Sequence, residues 1–562
     1  MEVRRAGAVA PQRQTGGVQI VIERRPEGLA LIDDDGRETL VAAEGLAAAV
    51  AAREAEHPRW VWTDTAQWYP PLLAEGVRVE RCHDLRLSDA ILAGIEGRPA
   101  LAGWEAPRPN RPDTLFDLDE AGAGRAGRDA PPLPCARALW HQQRAAVAAL
   151  ADPARVTLLL AAESAGALAA AEMHATGLPW SAAEHDALLT AALGPRPAPG
   201  ARPARLAALA AEVERLLGVG PVPIDSPPAL VAALRRAGLA VDSARSGELR
   251  RLDHPAIAPL LEYKTLSRLH SANGWHWLEE WVHDGRFRPT FVPGGVVTGR
   301  WASDGGGALQ LPRQVRSAIV ADPGWRLVVA DAAQLEPRIL AALSGDAAMA
   351  RAGAGVDLYT GMAETGAVAT REQAKVGMLG AMYGGTTGVS AQVLPRLERA
   401  FPRALGFVEA AARAGERGDR VRTALGRTSP APSASWRERQ AQSASDAVGE
   451  AERRAARAAA RSWGRFTRNF VVQGTAAEWA LAWLAGVRRR LWNPDAGPLA
   501  AQPHLVFFVH DELIVHSPEA EVERVESVLR EAAAEAGRLL FGTAPVSFPV
   551  TVAAVQRYSD AT

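Results

Sequence analysis

Short runs of alternating apolar and polar positions open the chain. Residues 18–22 and 29–32 carry this period of two, which predicts short β-strands. Residues 59–95 predict a strand, a helix, a strand and a helix in that order. An alanine-rich segment from about 137 to 192 predicts helices, and so does the proline-broken segment from 203 to 280. The first half of the chain therefore mixes strands and helices.

The second half follows a different order. Residues 325–345 switch from a strand to a helix, and residues 350–425 predict helices interrupted by glycines. Residues 428–450 predict a mobile surface loop, and a long helix is expected from about 450 to 492. The end of the chain, 504–562, predicts strands around a helix. Because strands and helices do not alternate in a regular βαβ repeat, the sequence favours the α+β class.

Composition limits the class of protein. The 562 residues exceed a single core and predict two to four domains, and the stretches 97–134 and 194–203, rich in Pro and Gly, are expected loops or linkers. No apolar run approaches ~18 residues, so no transmembrane helix is expected. The N-terminus lacks the apolar run of a secretory signal, and two cysteines without zinc or disulfide spacing favour a reducing cytoplasm. The net charge of -1 argues against a generic nucleic-acid binder. The only lysines are Lys264 and Lys375, so nearly all the basic residues are arginines.

Acidic residues stand at two positions where strands are expected to end. Asp331 closes an apolar strand before a helix, and Asp511 and Glu512 lie between two apolar runs that predict a strand, a tight turn and a strand. Carboxylates at such places suit Mg²⁺, which prefers oxygen ligands and keeps waters and substrate phosphates. The alternatives remain open: Asp331 as a helix cap, and residues 511–512 as a solvated turn.

Three further patterns carry charge. Arg371, Lys375, Leu379 and Tyr383 recur every four residues, so they share a helix face able to grip phosphates and stack on a base; an ordinary amphipathic helix is the alternative. Arginines also form one helical stripe, which suits a phosphate backbone or, alternatively, a solvated basic face; the stripe consists of Arg454, Arg457, Arg461, Arg465 and Arg468. Gln473 falls near the face of Asn469, and the Gly-rich segment with Arg300 is a weak motif that also fits a plain loop.

Together and in this order, these segments resemble the polymerase module of family A DNA polymerases, the DNA polymerase I type, from about residue 261 to the C-terminus. The family's D-Y-S-Q-I-E-L-R motif corresponds to residues 331–338, and its R-x-x-x-K-x-x-x-[FY]-G-x-x-Y-G helix to 371–384. Its H-D-E hairpin corresponds to 510–512, its T-G-R…L-Q-x-P block to 298–312, and its Q-G-T-A-A-[DE] block to 473–478.

The resemblance implies a right-hand polymerase fold with palm, fingers and thumb, preceded by an RNase H-like α/β domain of the 3′–5′ exonuclease type. The expected limits are 1–195 for a degenerate exonuclease-like domain, 203–285 for the thumb, 286–350 and 463–562 for the palm, and 351–462 for the fingers. It also implies a cytoplasmic, nucleoid-associated monomer whose partners are primer–template DNA and dNTPs, without a membrane.

The resemblance further implies a two-metal-ion phosphoryl transfer with Mg²⁺, for which Mn²⁺ can substitute. Asp331 and Asp511 would bridge the ions, with Glu512 assisting, and Lys375 would donate a proton to the leaving pyrophosphate. Glu336 would block a ribose 2′-hydroxyl. The implied nucleotide-binding residues are Arg371, Lys375, Leu379, Tyr383, Glu336, Gln334 and His510. The implied DNA-binding residues are Arg300, Arg454, Arg457, Arg461, Arg465, Asn469 and Gln473.

The chain departs from the family pattern at several positions. Leu379 replaces an aromatic residue, Phe508 replaces a glutamine, and Ala332-Ala333 replace Tyr-Ser, but none of these changes removes an implied metal ligand. Pro70 stands where the middle exonuclease aspartate is expected, so proofreading is predicted to be inactive. The alternatives are a single-subunit RNA polymerase, against which Glu336 and Glu512 argue, and a catalytically idle protein that binds primer–template DNA.

Overall fold

The structure is a computed structural model that describes residues 18–561 except 103, 105–133, 356, 386–387, 444 and 446–448. The first 17 residues and most of the loop predicted at 97–134 therefore lie outside the described residues.

The amino-terminal region is built on a five-stranded mixed sheet. Its strands are Gln19–Arg25 (β1), Gly28–Asp33 (β2), Glu38–Val41 (β3), Arg59–Trp62 (β4) and Arg81–Asp84 (β5), and its helices are Leu46–Glu54 (α1), Thr65–Ala74 (α2), Leu85–Glu96 (α3) and Ala136–Ala148 (α4). The order is β3-β2-β1-β4-β5, with β4 parallel to both neighbours. Buried Trp60, Trp62 and Tyr69 fill one face of the sheet. This confirms the strands predicted at the start of the chain and the alternating order predicted for 59–95.

A helical region follows. Its helices are Pro153–Thr176 (α5), Ala182–Leu193 (α6), Ala204–Leu217 (α7), Pro227–Arg236 (α8), Ser246–Leu249 (α9), Ile257–Asn273 (α10) and Trp275–Trp281 (α11). Short strands close it: Leu178–Pro179 (β6), Val282–His283 (β7), Arg286–Phe287 (β8), Thr290–Val292 (β9) and Ala302–Asp304 (β10). The helices predicted for 203–280 are confirmed, whereas the segment predicted as helical at 137–192 also contains β6.

A four-stranded antiparallel sheet carries the carboxy-terminal half. Its strands are Trp325–Ala332 (β11), His504–Val509 (β12), Glu512–Pro518 (β13) and Val550–Val555 (β14), in the order β12-β13-β11-β14. β11 and β13 are buried in the centre because their apolar residues meet helices and neighbouring strands. The strand-to-helix switch at 325–345 is confirmed.

In the described part of the stretch between β11 and β12, seven α-helices follow the first helix after β11. That first helix is Leu335–Ser344 (α12), and the seven are Ala347–Ala352 (α13), Leu358–Glu364 (α14), Arg371–Tyr383 (α15), Gly388–Ala400 (α16), Pro402–Glu416 (α17), Ala434–Ser443 (α18) and Glu450–Leu491 (α19). The helix Val522–Phe541 (α20) precedes β14. The loop predicted over 428–450 is wrong in part, because α18 lies inside it. The Trp436 indole donates to the Ala459 carbonyl, so α18 gains its packing from α19.

Within the described ranges, two helices are long and apolar enough to cross a bilayer, judged by length and composition. They are α5 and α19, and both are mostly buried against the rest of the chain. Buried core helices of globular proteins have the same property.

A buried ionic cluster joins the amino-terminal region to α19. The Arg488 and Arg78 guanidiniums lie 2.6 and 2.9 Å from the same Glu172 carboxylate oxygen, which also accepts from the Tyr69 hydroxyl at 2.6 Å. Glu172 belongs to α5, Tyr69 to α2 and Arg488 to α19. The two halves of the molecule are therefore connected through α5.

Candidate active site

Two carboxylates meet where β11 ends and where β12 turns into β13. Asp331 pairs across the sheet with Glu512, and the Ala332 N–H donates to the Asp511 carbonyl at 2.9 Å. Acidic side chains directly opposite each other destabilise a sheet, so this arrangement does not serve folding. The strand, turn and strand predicted at 504–518 are confirmed, and His510 takes a left-handed φ of 57° in the two-residue turn.

Asp331 does not cap the helix that follows it. The N-cap of α12 is Gln334, whose φ of 48° is left-handed. The side-chain amide oxygen of Gln334 accepts from the Leu358 N–H at 3.0 Å, which ties the β11–α12 turn to α14. Among the described residues, the Asp331 side chain has no hydrogen-bond or ion-pair partner. The alternative reading of Asp331 as a cap is therefore excluded.

The electrostatics of the pair favour a cation. Burial, and then repulsion by Asp331, raise the pKa of Asp511 to about 7. The Asp331 side chain is exposed to solvent on one side. Partial burial by the surrounding protein nevertheless raises its pKa. Among the described residues no three acidic, histidine or cysteine side chains are close enough to enclose a metal ion. Two carboxylates that no other side chain among the described residues pairs with still suit Mg²⁺, which keeps waters and substrate oxygens as its other ligands.

Glu512 differs from its two neighbours because it already has a partner. The Tyr558 hydroxyl donates to its carboxylate, and the Arg316 guanidinium lies 4.5 Å from the centre of the Tyr558 ring. Burial raises the pKa of Glu512, and the Tyr558 hydrogen bond opposes that shift. Glu512 is thus less available than Asp331 or Asp511 as a full metal ligand.

Glu336 is the centre of a second polar group, beside the carboxylate pair. Its two oxygens accept from the Arg300 guanidinium and from the Tyr383 hydroxyl, and Tyr383 also hydrogen bonds with Gln473. Burial and Glu336 together raise the pKa of Tyr383. This group connects α12, the 293–301 loop, α15 and α19. The structure therefore brings four sequence-predicted residues together around Glu336.

The predicted face of α15 is formed. The exposed Arg371 and Lys375, the half-buried Leu379 and Tyr383 follow one another along the helix. Arg371 forms an ion pair with Asp357 at 2.8 Å and lies 5.9 Å from the centre of the Tyr359 ring. Tyr383 ends the helix, and the next residue is a glycine in left-handed conformation packed against Arg465.

The arginine stripe lies on α19, as predicted. Arg454, Arg457, Arg461 and Arg465 are exposed, although Arg457 is 2.6 Å from Glu450. Arg468 is instead held by Glu409 and by the Ala381 carbonyl. Asn469 is only 5% exposed, and its side-chain oxygen has no hydrogen-bond partner among the described residues, so a contact between Asn469 and DNA requires rearrangement.

Phe508, one of the departures from the family pattern, is a packing residue. Its ring meets that of Trp301 edge to face at 4.8 Å and 85°, and Phe291 also contacts Trp301. Arg300 immediately precedes Trp301, and His510 follows Phe508 by two residues. The aromatic contact therefore joins the two segments that carry Arg300 and His510. Ala332 and Ala333 are buried beside the carboxylates.

Sequence reasoning missed several residues of the site. Asp357 and Tyr359 flank Arg371, and Tyr558 holds Glu512 from 46 positions away. Arg338 lies within the segment 331–338, but its sequence context indicates no role for it. It is fully buried and donates to the carbonyls of Ala333, Gly353, Gly355 and Ser547. A buried arginine in an apolar helix was the one local signal available, because the other contacts are long-range.

Comparison with known proteins adds the following findings. The sequence model described as DNA polymerase family A matches residues 203–558. The thermostable DNA polymerase I of Thermus filiformis is 30% identical over 315 residues, covering 50% of this chain and 34% of that protein. The DNA polymerase I of Chloroflexus aurantiacus is 29% identical over 329 residues, covering 54% and 32%. The chain thus matches about a third of the length of these relatives.

A solved structure shares the fold. The POL domain of Pol1 from M. smegmatis, in complex with DNA primer-template and dNTP, aligns with a TM-score of 0.67 at 22% sequence identity. The alignment covers 97% of this chain and 96% of that one. The α+β class and the polymerase fold expected from the sequence are therefore confirmed, whereas the limits of the individual domains stay a prediction.

Proposed function

The chain belongs to the family A DNA polymerases, and from this premise we propose that it adds deoxynucleotides to a primer 3′-hydroxyl under the direction of a template strand. The observation that carries the proposal is the pair Asp331 and Asp511, which no other side chain among the described residues contacts by a hydrogen bond or ion pair. The pair lies beside the polar group centred on Glu336, which includes Tyr383 of α15. In the reaction, the primer 3′-oxygen forms a bond to the α-phosphorus, and the bond from that phosphorus to the pyrophosphate oxygen breaks.

Asp331 and Asp511 would hold the metal ions, because unpaired carboxylate oxygens are the ligands that Mg²⁺ or Mn²⁺ prefers. When bound, divalent cations neutralise the charge that develops on the transferring phosphate and lower the pKa of a coordinated hydroxyl. Glu512, held by Tyr558, would support the turn that carries Asp511.

The exposed cations of α15 would bind the triphosphate. Arg371 is oriented by Asp357 and Tyr359, so its guanidinium needs little reorganisation to meet a phosphate. Lys375 lies one turn further along the same face, and its ammonium can give a proton to the departing pyrophosphate as a general acid. His510 and Gln334 would border the nucleotide from the hairpin and the β11–α12 turn.

Selection of deoxynucleotides is assigned to Glu336 and Tyr383. Their hydrogen bond fixes a carboxylate at the start of α12, where it would exclude a ribose 2′-hydroxyl by steric and polar conflict. This favours the DNA polymerase over the RNA polymerase alternative. Leu379 gives the nucleotide an aliphatic rather than an aromatic neighbour, so stacking on the incoming base is expected to be weak.

The primer–template duplex would lie along the exposed arginines of α19 and near Arg300 and Gln473. This local positive charge, rather than the net charge of the chain, would serve phosphate binding. Repair synthesis or gap filling in the bacterial cytoplasm, by a monomer, is the setting we propose. The amino-terminal domain would be structural and would lack proofreading activity. Palm, fingers and thumb would follow it, with the limits expected from the sequence.

The test is extension of a labelled primer on a longer template with Mg²⁺ or Mn²⁺. We expect template-dependent extension with dNTPs, much less with rNTPs, and none from Asp511→Ala. No extension by the unmodified chain, with normal binding of the duplex, would favour the idle binding protein instead. Loss of a 3′ label without dNTPs, in a nuclease-free preparation, would contradict the inactive exonuclease.

A further inference from the structure

The loop that carries Arg300 is supported from behind by a buried ion pair. One partner, Glu163, lies on α5 and is 1% exposed, and the other, Arg427, lies in the turn that follows α17 and is 8% exposed. The Arg427 guanidinium donates to the Glu163 carboxylate at 2.6 Å. The two residues are 264 positions apart, so the pair joins distant parts of the chain.

The loop contacts this ion pair directly through its glycines. A Cβ atom on Gly299 would lie 2.6 to 2.9 Å from three atoms of the Arg427 guanidinium, and one on Gly294 would lie 2.8 Å from the Glu163 carboxylate. Both glycines also have left-handed φ angles, of 86° and 63°. The loop therefore lies against the ion pair at two points, with no room for side chains.

The turn that presents Arg427 is itself fixed. Its Leu425 N–H donates to Glu478 at 2.9 Å and its Ala424 N–H donates to Thr475 at 3.1 Å, and both acceptors are buried residues of α19. Arg155, at the start of α5, donates to the Ala424 carbonyl at 2.9 Å. Because α5 holds the turn at two places, Arg427 has little freedom to move away from the loop.

Some polar atoms in and around the ion pair lack hydrogen-bond partners. In this respect it differs from an ion pair whose only role is to stabilise the fold. One Glu163 oxygen, the Arg427 Nε and the Thr298 hydroxyl are buried without a hydrogen-bond partner among the described residues. A pair of charges kept in the interior with unmet hydrogen bonds is a costly way to stabilise a fold. A guanidinium is planar and rigid, whereas a lysine ammonium is a compact charge on a flexible stem, so a lysine would not fill the space behind Gly299 in the same way.

We propose that Glu163 and Arg427 are positioning residues, which set the place of Arg300 by supporting the 293–301 loop; this inference rests on the proposed function. Arg300 reaches Glu336, and its charge also acts on Asp511 and His510. A shift of the loop would move Arg300 away from the proposed path of the primer–template duplex and would weaken its contact with Glu336. In this way the amino-terminal helix α5 contributes to the polymerase site without touching a substrate.

The chain offers a matched control on the same helix. Glu172 is nine positions further along α5, is equally buried and also pairs with an arginine, Arg488, but none of its hydrogen-bond or ion-pair partners among the described residues belongs to the 293–301 loop. Glu172→Gln and Glu163→Gln both retain side-chain size and remove one buried charge. Any general loss of stability should therefore appear in both variants, whereas displacement of Arg300 should appear only in Glu163→Gln.

The experiment is a double-mutant cycle with Arg300→Ala, read as kcat and KM for primer extension and as the dissociation constant for primer–template. We expect Glu163→Gln and Arg427→Lys to lower kcat/KM about tenfold, because small displacements of a positioned group are costly. In the Arg300→Ala background the same substitutions should have almost no further effect. Glu172→Gln should lower the melting temperature but leave kcat/KM within about twofold at 25 °C.

Equal effects of Glu163→Gln in both backgrounds, or an effect equal to that of Glu172→Gln, would overturn the inference. If the unmodified chain extends no primer, the proposed function fails, and the cycle read as primer–template affinity still decides the inference. If the chain neither extends nor binds the duplex, both are refuted.

Discussion

Two pairs of aspartates in this molecule occupy similar positions at strand ends but differ in the groups that their carboxylates bind. Asp331 and Asp511 lie at a strand end and a turn of the carboxy-terminal sheet, and Asp64 and Asp84 follow or end the parallel strands β4 and β5. Within each pair one pKa is raised by burial and by the other carboxylate, to about 7 for Asp511 and about 6 for Asp84. A raised pKa therefore does not by itself mark a catalytic site.

The pairs differ in what their oxygens bind. Asp64 accepts from the Ala66 N–H and lies 2.9 Å from Arg86, and Asp84 accepts from the N–H groups of Thr65 and Leu87 at 2.7 and 2.9 Å. Both are almost fully buried. Among the described residues no other side chain pairs with Asp331 or Asp511, and the backbone hydrogen bond that acts on the Asp511 carboxylate comes from its own N–H. The first pair caps helices and holds an arginine, whereas the second is left free for a ligand.

The largest expected effect is on the free pair. Asp331→Asn or Asp511→Asn should lower the rate of primer extension about 10³-fold, equivalent to ~4 kcal/mol, because each removes a charged ligand from the metal site. The melting temperature in EDTA should not fall, since the substitution removes repulsion. Asp64→Asn, assayed in parallel by single-turnover extension, is the control and should retain activity.

The next largest effect is expected for Asp64 and Asp84, the pair whose carboxylates are already hydrogen bonded. Asp64→Ala should destabilise the chain by about 3 kcal/mol, because it leaves Arg86 without its ion-pair partner in a mostly buried place. The measurement is denaturant unfolding followed by tryptophan fluorescence, with extension measured below the transition. Loss of extension in the folded variant would mean that the amino-terminal pair takes part in the reaction.

The third prediction is a pH dependence in EDTA. The pKa of Asp511 is raised in the folded chain, so its contribution to stability is fully present below the unfolded pKa and declines as the pH rises through about 7. Asp511→Asn should therefore melt like the unmodified chain near pH 4 and be more stable at pH 8 by about 2 kcal/mol, because the full pKa shift is worth ~4 kcal/mol and partial exposure of the Asp511 side chain screens about half of it. An equal difference at both pH values would contradict the proposed repulsion.

The smallest effect is expected at Glu512, which combines features of both pairs. Glu512→Gln can still accept the hydrogen bond from the Tyr558 hydroxyl, so extension should fall by only about tenfold. Tyr558→Phe should give a comparable loss if the hydrogen bond orients the turn. A loss at Glu512 as large as that at Asp511 would show that Glu512 is a full ligand, and would weaken the distinction between free and committed carboxylates.

Local patterns predicted the elements that carry the site. The apolar runs around residues 510–512 defined the hairpin, and the spacing of four defined the face of α15. Family resemblance then ordered these pieces into one site. The contacts between the pieces could not be predicted: Glu336 meets Tyr383 and Arg300 only after the chain folds, and Tyr558 reaches Glu512 across the sheet.

The helix α18 shows a second limit of local reasoning. Its segment is rich in serine, alanine and proline, which predicted a loop. The Ser433 hydroxyl accepts from the Trp436 N–H at the start of the helix, and Gln440 donates to the Ala456 carbonyl of α19. Tertiary contact with α19 therefore stabilises a helix that propensity alone does not favour.

The most direct test of the distinction between the two aspartate pairs is the binding of Mn²⁺, measured by electron paramagnetic resonance. The sample contains the chain, a chain-terminated primer annealed to its template, and dNTP. We expect bound Mn²⁺ in the unmodified chain and in Asp64→Asn, and its loss in both Asp331→Asn and Asp511→Asn. Mn²⁺ binding that survives the substitutions at 331 and 511, or that is lost only on substitution of Asp64, would contradict this distinction.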